Sequence, residues 1–212
     1  MTPRPYLSYT QKRLWKQNPD RYVEEYLYGK AKVDTAEMKF GKVVADALEH
    51  DEETGDIEID AVIELIPKFE LMDQPTNVLL KLDKKNHVPL HGRMDTRKAD
   101  YSAFKEYKTG RYSPDGKPAW TQAKVDSDKQ ITFYAVMAYL ESKKICEDIE
   151  LVWAVTDVSP HDGQTIIFTG EIKRFRTRRS MHQVVEEMAD MSNVWKQINE
   201  RCAKELDLIN TL

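Results

Sequence analysis

The sequence is poor in cysteine, and its two cysteines lie far apart. Cys146 and Cys202 form no CxxC pair, which excludes structural zinc or an iron–sulfur cluster held by cysteines alone. Scarce cysteine is typical of proteins that work in a reducing compartment, because disulfide frameworks belong to oxidising ones. We therefore expect a reducing environment and no iron–sulfur cluster.

Long apolar runs are also missing. The N-terminal segment MTPRPYLSYTQKRLW has no apolar centre of the kind that marks a secretory signal. No later run approaches the length needed to cross a bilayer. These absences predict a cytoplasmic protein (in the host cytoplasm if the chain is viral) with no membrane partner.

The chain has no excess of positive charge. Its net charge is −4, which excludes a globally basic nucleic-acid binder but leaves a local basic face open. Charged residues make up 32% and hydrophobic residues 41%, a balance that predicts a well-solvated surface around a real core. With 212 residues, the chain is expected to form a single domain spanning 1–212.

Helix signals fill the first fifty residues, which we interpret as a helical entry (1–50). TQKRLWKQ reads as a short helix, and Asn18 followed by Pro19 starts a second one. Asp34 and Glu37 resemble a capping box for a helix that runs to about Glu49. The apolar stripe of that helix is expected to be Phe40, Val43, Val44, Ala47 and Leu48.

The middle of the chain alternates between strand and helix patterns. Three strands are predicted from NVLLKLD, VPLHGRMD and SAFKEYKTG, with turns at 84–86 and 97–100. A helix follows near 128–142, then the strands ELVWAVTDV and QTIIFTGEIKRF, and a C-terminal helix over 180–206. This order predicts an α/β fold with a mixed central sheet flanked by helices, the catalytic sheet and helix lying within 78–175.

Charged residues concentrate in HGRMDTRKADYSAFKEYKTGR, which holds Asp95, Glu106 and Lys108. Alternate residues of a strand share a face, so Glu106 and Lys108 should point the same way. A hairpin between VPLHGRMD and SAFKEYKTG would bring Asp95 to a strand spacing of roughly 5 Å. Two carboxylates this close repel each other and need a cation between them.

Lys108 compensates for part of this repulsion, and a hard divalent ion compensates for more. Mg²⁺ takes one or two carboxylates and leaves positions for water and phosphate oxygens. Such an ion polarises a phosphodiester and acidifies a bound water, which a lysine can orient or activate. Asp95, Glu106 and Lys108 therefore form a set suited to phosphodiester hydrolysis with Mg²⁺ or Mn²⁺.

GRMD, EYKTG and the pair Gln130 and Tyr134 together resemble the RecB-like exonuclease branch of the PD-(D/E)XK nuclease superfamily. The similarity extends over about 7–175, since LSYTQKRLWKQNPDRYVEEYLYG resembles the helical entry of this branch and FGKVVADALE its Gly-x-x-x-His-x-x-Leu helix. The resemblance implies a restriction-endonuclease-like fold. It also implies that Asp95 and Glu106 bind the metal and that Lys108 is the catalytic lysine.

The same resemblance implies that Gln130 and Tyr134 lie beside the catalytic centre. Their spacing of four residues puts both on one face of a helix. From that face an amide and a phenol could contact the DNA backbone or the attacking water.

Two positions depart from the family pattern. Ala45 stands where the helix usually carries a histidine, and Glu49, one turn further on, is the expected substitute ligand. Asn18-Pro19 stands where members with an iron–sulfur cluster have a Cys-Pro pair. With two cysteines in all, this chain lacks that cluster.

Basic and aromatic residues near the proposed centre predict a groove that follows a DNA backbone. The expected nucleic-acid contacts are Arg93, Arg97, Lys105, Arg111, Lys117, Trp120 and Lys124.

Two classes of function remain open from the sequence. The first is a metal-dependent DNA nuclease, chiefly an exonuclease of replication, recombination or repair, with an endonuclease or junction resolvase as a variant. It would act on single strands or duplex ends, alongside replication or recombination partner proteins, and would suit a phage or a bacterium. The second is an inactive nuclease fold that binds DNA or assembles with proteins, which the missing histidine favours and the intact Asp95, Glu106 and Lys108 disfavour.

Overall fold

The computed structural model describes residues 4–30, 34–50, 52–72, 75–83 and 86–210. The helices are α1 (Tyr9–Gln17), α2 (Pro19–Tyr22, continued by a π-helical turn Val23–Leu27), α3 (Ala36–His50), α4 (Ile57–Leu65), α5 (Gln122–Ser127), α6 (Lys129–Ser142) and α7 (Met181–Asn210). The strands are β1 (Leu71–Met72), β2 (Pro75–Lys81), β3 (His87–Arg93), β4 (Thr96–Arg97), β5 (Ala103–Gly110), β6 (Asp148–Val158) and β7 (Ile166–Thr177).

A five-stranded sheet forms the centre of the fold, with the strand order β1-β4-β5-β6-β7. β5 and β6 run parallel, and the other neighbours are antiparallel. The parallel pair is joined through α5 and α6, as a parallel connection requires a crossover. The predicted α/β fold with a mixed sheet flanked by helices is confirmed.

β6 is buried on both faces and divides the core into two layers. Leu151 and Trp153 face the layer that contains α6 and α7. Val152 and Ala154 face the layer that contains α3 and α4. This alternation follows from the strand geometry, and it leaves β5, the neighbour of β6, with one helical layer on each side.

The predicted hairpin between VPLHGRMD and SAFKEYKTG is wrong. β3 pairs with β2 in a separate two-stranded sheet, with Val78 opposite Leu90. The other edge of β3 is occupied by the N-terminal segment, where Leu7 bonds to Pro89 O at 2.8 Å and accepts from His91 N at 3.0 Å. Because both edges of β3 are taken, the short strand β4 pairs with β5 instead.

Several helix boundaries also differ from the expectation. The Thr35 hydroxyl, rather than Asp34, accepts the Met38 N–H at the start of α3, while Asp34 forms an ion pair with Lys42. In the expected apolar stripe of α3, Val43 is 43% exposed. The helices α4 and α5 were not predicted. Of the turn predicted at 84–86, residues 84 and 85 lie outside the described residues.

The start of α2 follows its prediction. The Asn18 side chain accepts from Arg21 N at 3.0 Å, with Pro19 at the first helical position.

Among the helices of the described segments, none is long and apolar enough to cross a membrane.

Candidate active site

Asp95 directly precedes β4, and the pairing of this strand carries Asp95 to β5. Thr96 pairs with Lys105, so one step further in the antiparallel register Asp95 stands opposite Glu106. The main-chain N–H of Tyr107 donates to Asp95 Oδ2 at 2.5 Å. The expected closeness of the two carboxylates is therefore present, but it comes from β4 and not from β3.

Glu106 and Lys108 lie on the same face of β5 and contact each other. Lys108 Nζ donates to Glu106 Oε1 and also to Gln130 Oε1, the latter at 3.0 Å. Gln130 Nε2 in turn donates to the Tyr134 hydroxyl at 3.2 Å. The structure thus brings together all five residues that the sequence singled out as a catalytic group.

Glu106 carries the strongest sign of an incomplete site. Its side chain is 2% exposed, and Oε2 has no hydrogen-bond partner within the described segments. A buried carboxylate oxygen without a partner costs free energy. Burial, followed by the charge of Asp95, raises the pKa of Glu106 to about 8. A positive charge at this point would stabilise the ionised carboxylate.

Burial also affects the pKa values of Asp95 and Lys108. Burial raises the pKa of Asp95, although Lys108 acts against this shift. Burial alone would lower the pKa of Lys108, but the Glu106 and Asp95 carboxylates outweigh it and raise that pKa. Lys108 therefore stays protonated in the metal-free protein and partly offsets the paired carboxylates.

The donor set fits a hard divalent cation with much of its shell left open. In 4–30, 34–50, 52–72, 75–83 and 86–210, no group of three or more His, Cys, Asp or Glu side chains is arranged to hold a metal. Asp95 and Glu106 give two carboxylates. Mg²⁺ is commonly bound by one or two carboxylates, with water and phosphate oxygens completing its octahedron. The unpartnered Glu106 Oε2 is the atom best suited to such an ion.

Glu49 does not join this pair, which corrects the expected three-carboxylate set. Its Oε2 lies 3.7 Å from Arg93 Nη1. α3 instead presents Ala45 to the centre, since Ala45 and Asp95 line the same cavity. Glu49, one turn further along the helix, is not among the residues that line the cavity. Its carboxylate balances the charge of Arg93.

The cavity beside Asp95 has a volume of about 400 Å³ and lies between α3, β1 and β5. Its lining residues are Glu37, Met38, Gly41, Val44, Ala45, Leu48, Ile66, Met72, Asp95, Tyr107, Lys108 and Thr109. Gly41 permits this approach of α3 to β5, because a Cβ at that position would lie 2.9 Å from Thr109 Oγ1.

Three residues near the centre were missed from the sequence. Asp128 caps α6 through its bond from Ile131 N at 2.9 Å, and its charge raises the pKa of both Glu106 and Lys108. Tyr9, on α1, has its pKa raised chiefly by burial, and Lys108 acts against that shift. The order Asp128-Lys129-Gln130 is a capping signal that could have identified Asp128; Tyr9 has no comparable signal.

The third missed residue is Arg179, which fixes the start of α6. Its side chain is 1% exposed. Nε donates to Thr132 Oγ1 at 2.8 Å, and Nη2 donates to the carbonyls of Val125 and Asp128 at 2.9 and 3.1 Å. The guanidinium thereby joins the end of α5 to the first turn of α6, the turn that carries Gln130.

Two of the predicted nucleic-acid contacts are not on an open surface. Arg97 is 9% exposed and stacks 4.0 Å above the ring of Tyr101. Lys105 is 7% exposed and bonds to Glu150 at 2.7 Å. Lys105 alternates with Glu106 along β5 and so faces the other layer. We therefore remove Arg97 and Lys105 from the expected groove.

The remaining members of that set are exposed or partly exposed. Arg93 is the partner of Glu49 described above, and Arg111 lies 3.5 Å from Glu37, a residue of the cavity lining. Lys117 pairs with Asp115 at 2.6 Å in the loop after β5. Lys124 Nζ lies 4.2 Å above the ring of Trp120. Arg111 is the member placed nearest to the cavity by these contacts.

Comparison with known proteins gives similarity in structure only. The sequence matches no protein-family profile and no curated protein. A crystal structure from Eubacterium rectale, named "Putative exonuclease", has 10% sequence identity and a TM-score of 0.60, and the match covers 95% of this chain and 82% of the other. A phage-related exonuclease from Haemophilus somnus 129PT has 11% identity and a TM-score of 0.54, with 90% and 83% covered.

At this level of identity the similarity concerns the fold. Both matches extend over nearly the whole of this chain, so they include the central sheet and the helical layers on both of its faces. The chain therefore shares the fold of two structures that are named exonucleases.

Proposed function

We propose that this chain is a divalent-metal-dependent deoxyribonuclease of the RecB-like PD-(D/E)XK type. It hydrolyses phosphodiester bonds from the ends of DNA, as an exonuclease of replication, recombination or repair. The observation that carries this proposal is the contact group of Asp95, Glu106 and Lys108, in which one buried oxygen of Glu106 has no partner among the described residues. The two exonuclease-named structures of the same fold support it.

Asp95 and Glu106 are the residues that would hold Mg²⁺ or Mn²⁺. When bound, the ion polarises the scissile phosphate and lowers the pKa of a coordinated water. The two carboxylates supply negative charge in a poorly solvated place, where an ion is held more strongly than at the surface.

Lys108 is the group that orients the attacking water. Its ammonium is fixed by Glu106 on one side and by Gln130 on the other, so it has a defined direction towards the phosphate. The Tyr134 hydroxyl accepts a hydrogen bond from Gln130 Nε2 and so fixes the orientation of the amide. Positioning of this kind lowers the barrier because the reacting groups need no further ordering.

The substrate approaches from the side where the cavity opens. Arg111 pairs with Glu37 of the lining, the loop after β5 carries Lys117 and Trp120, and α5 carries Lys124. These cations would compensate backbone phosphates, and an indole could stack on a base. Binding should therefore weaken steeply as the salt concentration rises.

The proposal is tested with end-labelled linear DNA and closed circular DNA, each incubated with Mg²⁺, with Mn²⁺ or with a chelator. We expect release of nucleotides from the linear substrate in either metal and none in the chelator. Intact circles would identify an exonuclease, whereas nicked circles would identify an endonuclease. A protein that cleaves neither substrate in either metal would contradict the proposal.

A second candidate is an inactive nuclease fold that binds DNA or assembles with other proteins. The observation that favours it is Ala45, which puts a side chain without a donor atom at the position of α3 where the family pattern has a histidine. Metal binding separates the two candidates. A chain that binds neither Mg²⁺ nor Mn²⁺ by calorimetry belongs to the second class.

A further inference from the structure

We propose that the 400 Å³ cavity between α3 and β5 binds an unpaired nucleobase of the DNA strand that lies at Asp95 and Lys108. This inference rests on the proposed function and adds a substrate class to it. The preferred substrate would be a single strand or a frayed duplex end.

The cavity has the size and the composition of a pocket for a small molecule. A volume of about 400 Å³ lies within the range of pockets that bind small molecules. Most of the lining is apolar: Met38, Val44, Ala45, Leu48, Ile66 and Met72. Methionine thioethers and aliphatic groups pack well against a flat aromatic ring, but they give a phosphate nothing to bond.

The charged residues of the lining favour a neutral group over a phosphate. Its ionisable members are the carboxylates of Glu37 and Asp95 and the ammonium of Lys108. Lys108 is already bonded to Glu106, and Glu37 is paired with Arg111 at 3.5 Å, so the lining offers a second phosphate little attraction, whereas a neutral base is tolerated. The Glu37 carboxylate and the Thr109 hydroxyl can accept hydrogen bonds from the N–H groups of a base.

The ring of Tyr107 gives the cavity one rigid aromatic wall. Its hydroxyl donates to Pro67 O at 2.8 Å, and its own N–H is bound to Asp95 Oδ2. Tyr107 is therefore held at both ends, next to the carboxylate that would hold the metal. A base stacked on a fixed aromatic ring gains affinity with little dependence on sequence.

The cavity lies directly beside the proposed catalytic group. Asp95 and Lys108 belong both to its lining and to the proposed catalytic group. A nucleotide whose phosphate lies at these residues has its base within reach of the apolar wall. A paired base cannot enter, because it would have to leave its partner and its stack at a cost of a few kcal/mol.

Ala45 gives a direct test, because it is exposed and lines the cavity. Ala45→Phe fills the space, and Val43→Phe is the matched control, since Val43 is 43% exposed on the same helix and outside the lining. Both changes are made in a Glu106→Gln background, which leaves the lining residues unchanged and keeps the DNA intact in Mg²⁺. Fluorescence anisotropy then measures the binding of a short oligothymidylate and of an abasic chain of the same length.

We expect the oligothymidylate to bind about tenfold more tightly than the abasic chain, from the stacking of one base. Ala45→Phe should bring this ratio close to one, and Val43→Phe should leave it unchanged. An unaltered ratio in Ala45→Phe, an equal loss for both chains or no binding of either chain would overturn the inference.

A separate arm keeps the inference distinct from the proposed function. The protein with Glu106 intact is assayed on duplexes with a paired or a mismatched terminal nucleotide. Faster cleavage of the mismatched end supports the inference. Equal cleavage of both ends overturns the inference while the nuclease proposal stands. Cleavage of neither end contradicts the nuclease proposal, and the binding ratio then decides the inference by itself.

Discussion

Lys108 Nζ lies 3.0 Å from Gln130 Oε1, and this contact joins β5 to α6. A lysine at the end of a strand is ordinarily a mobile side chain with many rotamers. Here it is fixed between the Gln130 amide and the Glu106 carboxylate. The orientation of the ammonium therefore depends on a residue 22 positions away along the chain.

Gln130→Ala should reduce kcat with little change in KM. The ammonium of Lys108 would lose one of its two fixed partners, and a misplaced catalytic group costs on the order of a hundredfold in rate. Glu141→Ala, an exposed position on the same helix, is the control and should retain full activity. Steady-state kinetics on single-stranded DNA in Mg²⁺ measure both. A wild-type kcat in Gln130→Ala would show that Glu106 alone orients the lysine.

Two buried glutamates on opposite faces of the sheet should respond in opposite ways to removal of their charge. Glu106→Gln removes a charge that burial and Asp95 disfavour, so the free energy of unfolding should hold or rise while cleavage is lost. Glu150→Gln removes the negative charge that pairs with Lys105 at 2.7 Å and with Arg174 at 2.8 and 2.9 Å. Leaving the buried Lys105 without its carboxylate should cost about 3–5 kcal/mol of stability.

The pH dependence of unfolding separates the two carboxylates further. Burial acts to raise the pKa of Glu150, but its bonds from Arg174 and Lys105 outweigh this and lower that pKa. Its stabilisation is therefore complete above the ordinary pKa of a glutamate, and it is lost as the pH falls through the lowered pKa. Urea titrations between neutral and acid pH should show a smaller loss in Glu150→Gln than in the native protein. A parallel loss in both proteins would contradict the assignment.

Glu49→Ala should leave the affinity for Mn²⁺ unchanged, because Glu49 lies against Arg93 and outside the cavity lining. Asp95→Ala should weaken it by about tenfold or more, as expected for the loss of a carboxylate ligand. Isothermal calorimetry measures both variants. With oxygen ligands alone, Mg²⁺ should support activity nearly as well as Mn²⁺. A loss in Glu49→Ala equal to that in Asp95→Ala would restore Glu49 as a ligand.

Arg179→Met should lower both stability and kcat. It leaves the carbonyls of Val125 and Asp128 and the Thr132 hydroxyl without their buried donor, at a cost of about 3–5 kcal/mol. The start of α6 would then be less well fixed, and Gln130 with it. Arg178→Ala, its exposed neighbour, is the control. Measured below the unfolding transition, a normal kcat in Arg179→Met would limit Arg179 to a role in stability.

Local pattern accounts for the parts of this structure that the sequence predicted. The two-residue period of β5 puts Glu106 and Lys108 on one face, and the four-residue spacing of Gln130 and Tyr134 puts them on one side of α6. Neither relationship needs knowledge of distant residues. For that reason the residues of this contact group could be listed from the sequence, and the mixed sheet could be expected.

The predictions that were wrong concern contacts between residues that are far apart in the chain. β3 was paired with the wrong strand because nothing in its own residues shows that Leu7 occupies its second edge. Arg97 and Lys105 were expected in a groove, since a charge gives no sign that Tyr101 or Glu150 will enclose it. Glu49 was expected at the metal because a helical row fixes direction but not how far a side chain lies from the sheet.

The central claim is that Asp95, Glu106 and Lys108 form a metal-dependent hydrolytic centre. It is tested most directly by incubating end-labelled single-stranded DNA with Mg²⁺ and the native chain, Glu106→Gln or Lys108→Met, after circular dichroism has shown all three to be folded. We expect the native chain to shorten the DNA and both variants to lose activity by at least about a thousandfold. Cleavage by either variant at the native rate, or no cleavage by the native chain in Mg²⁺ or Mn²⁺, would contradict this account.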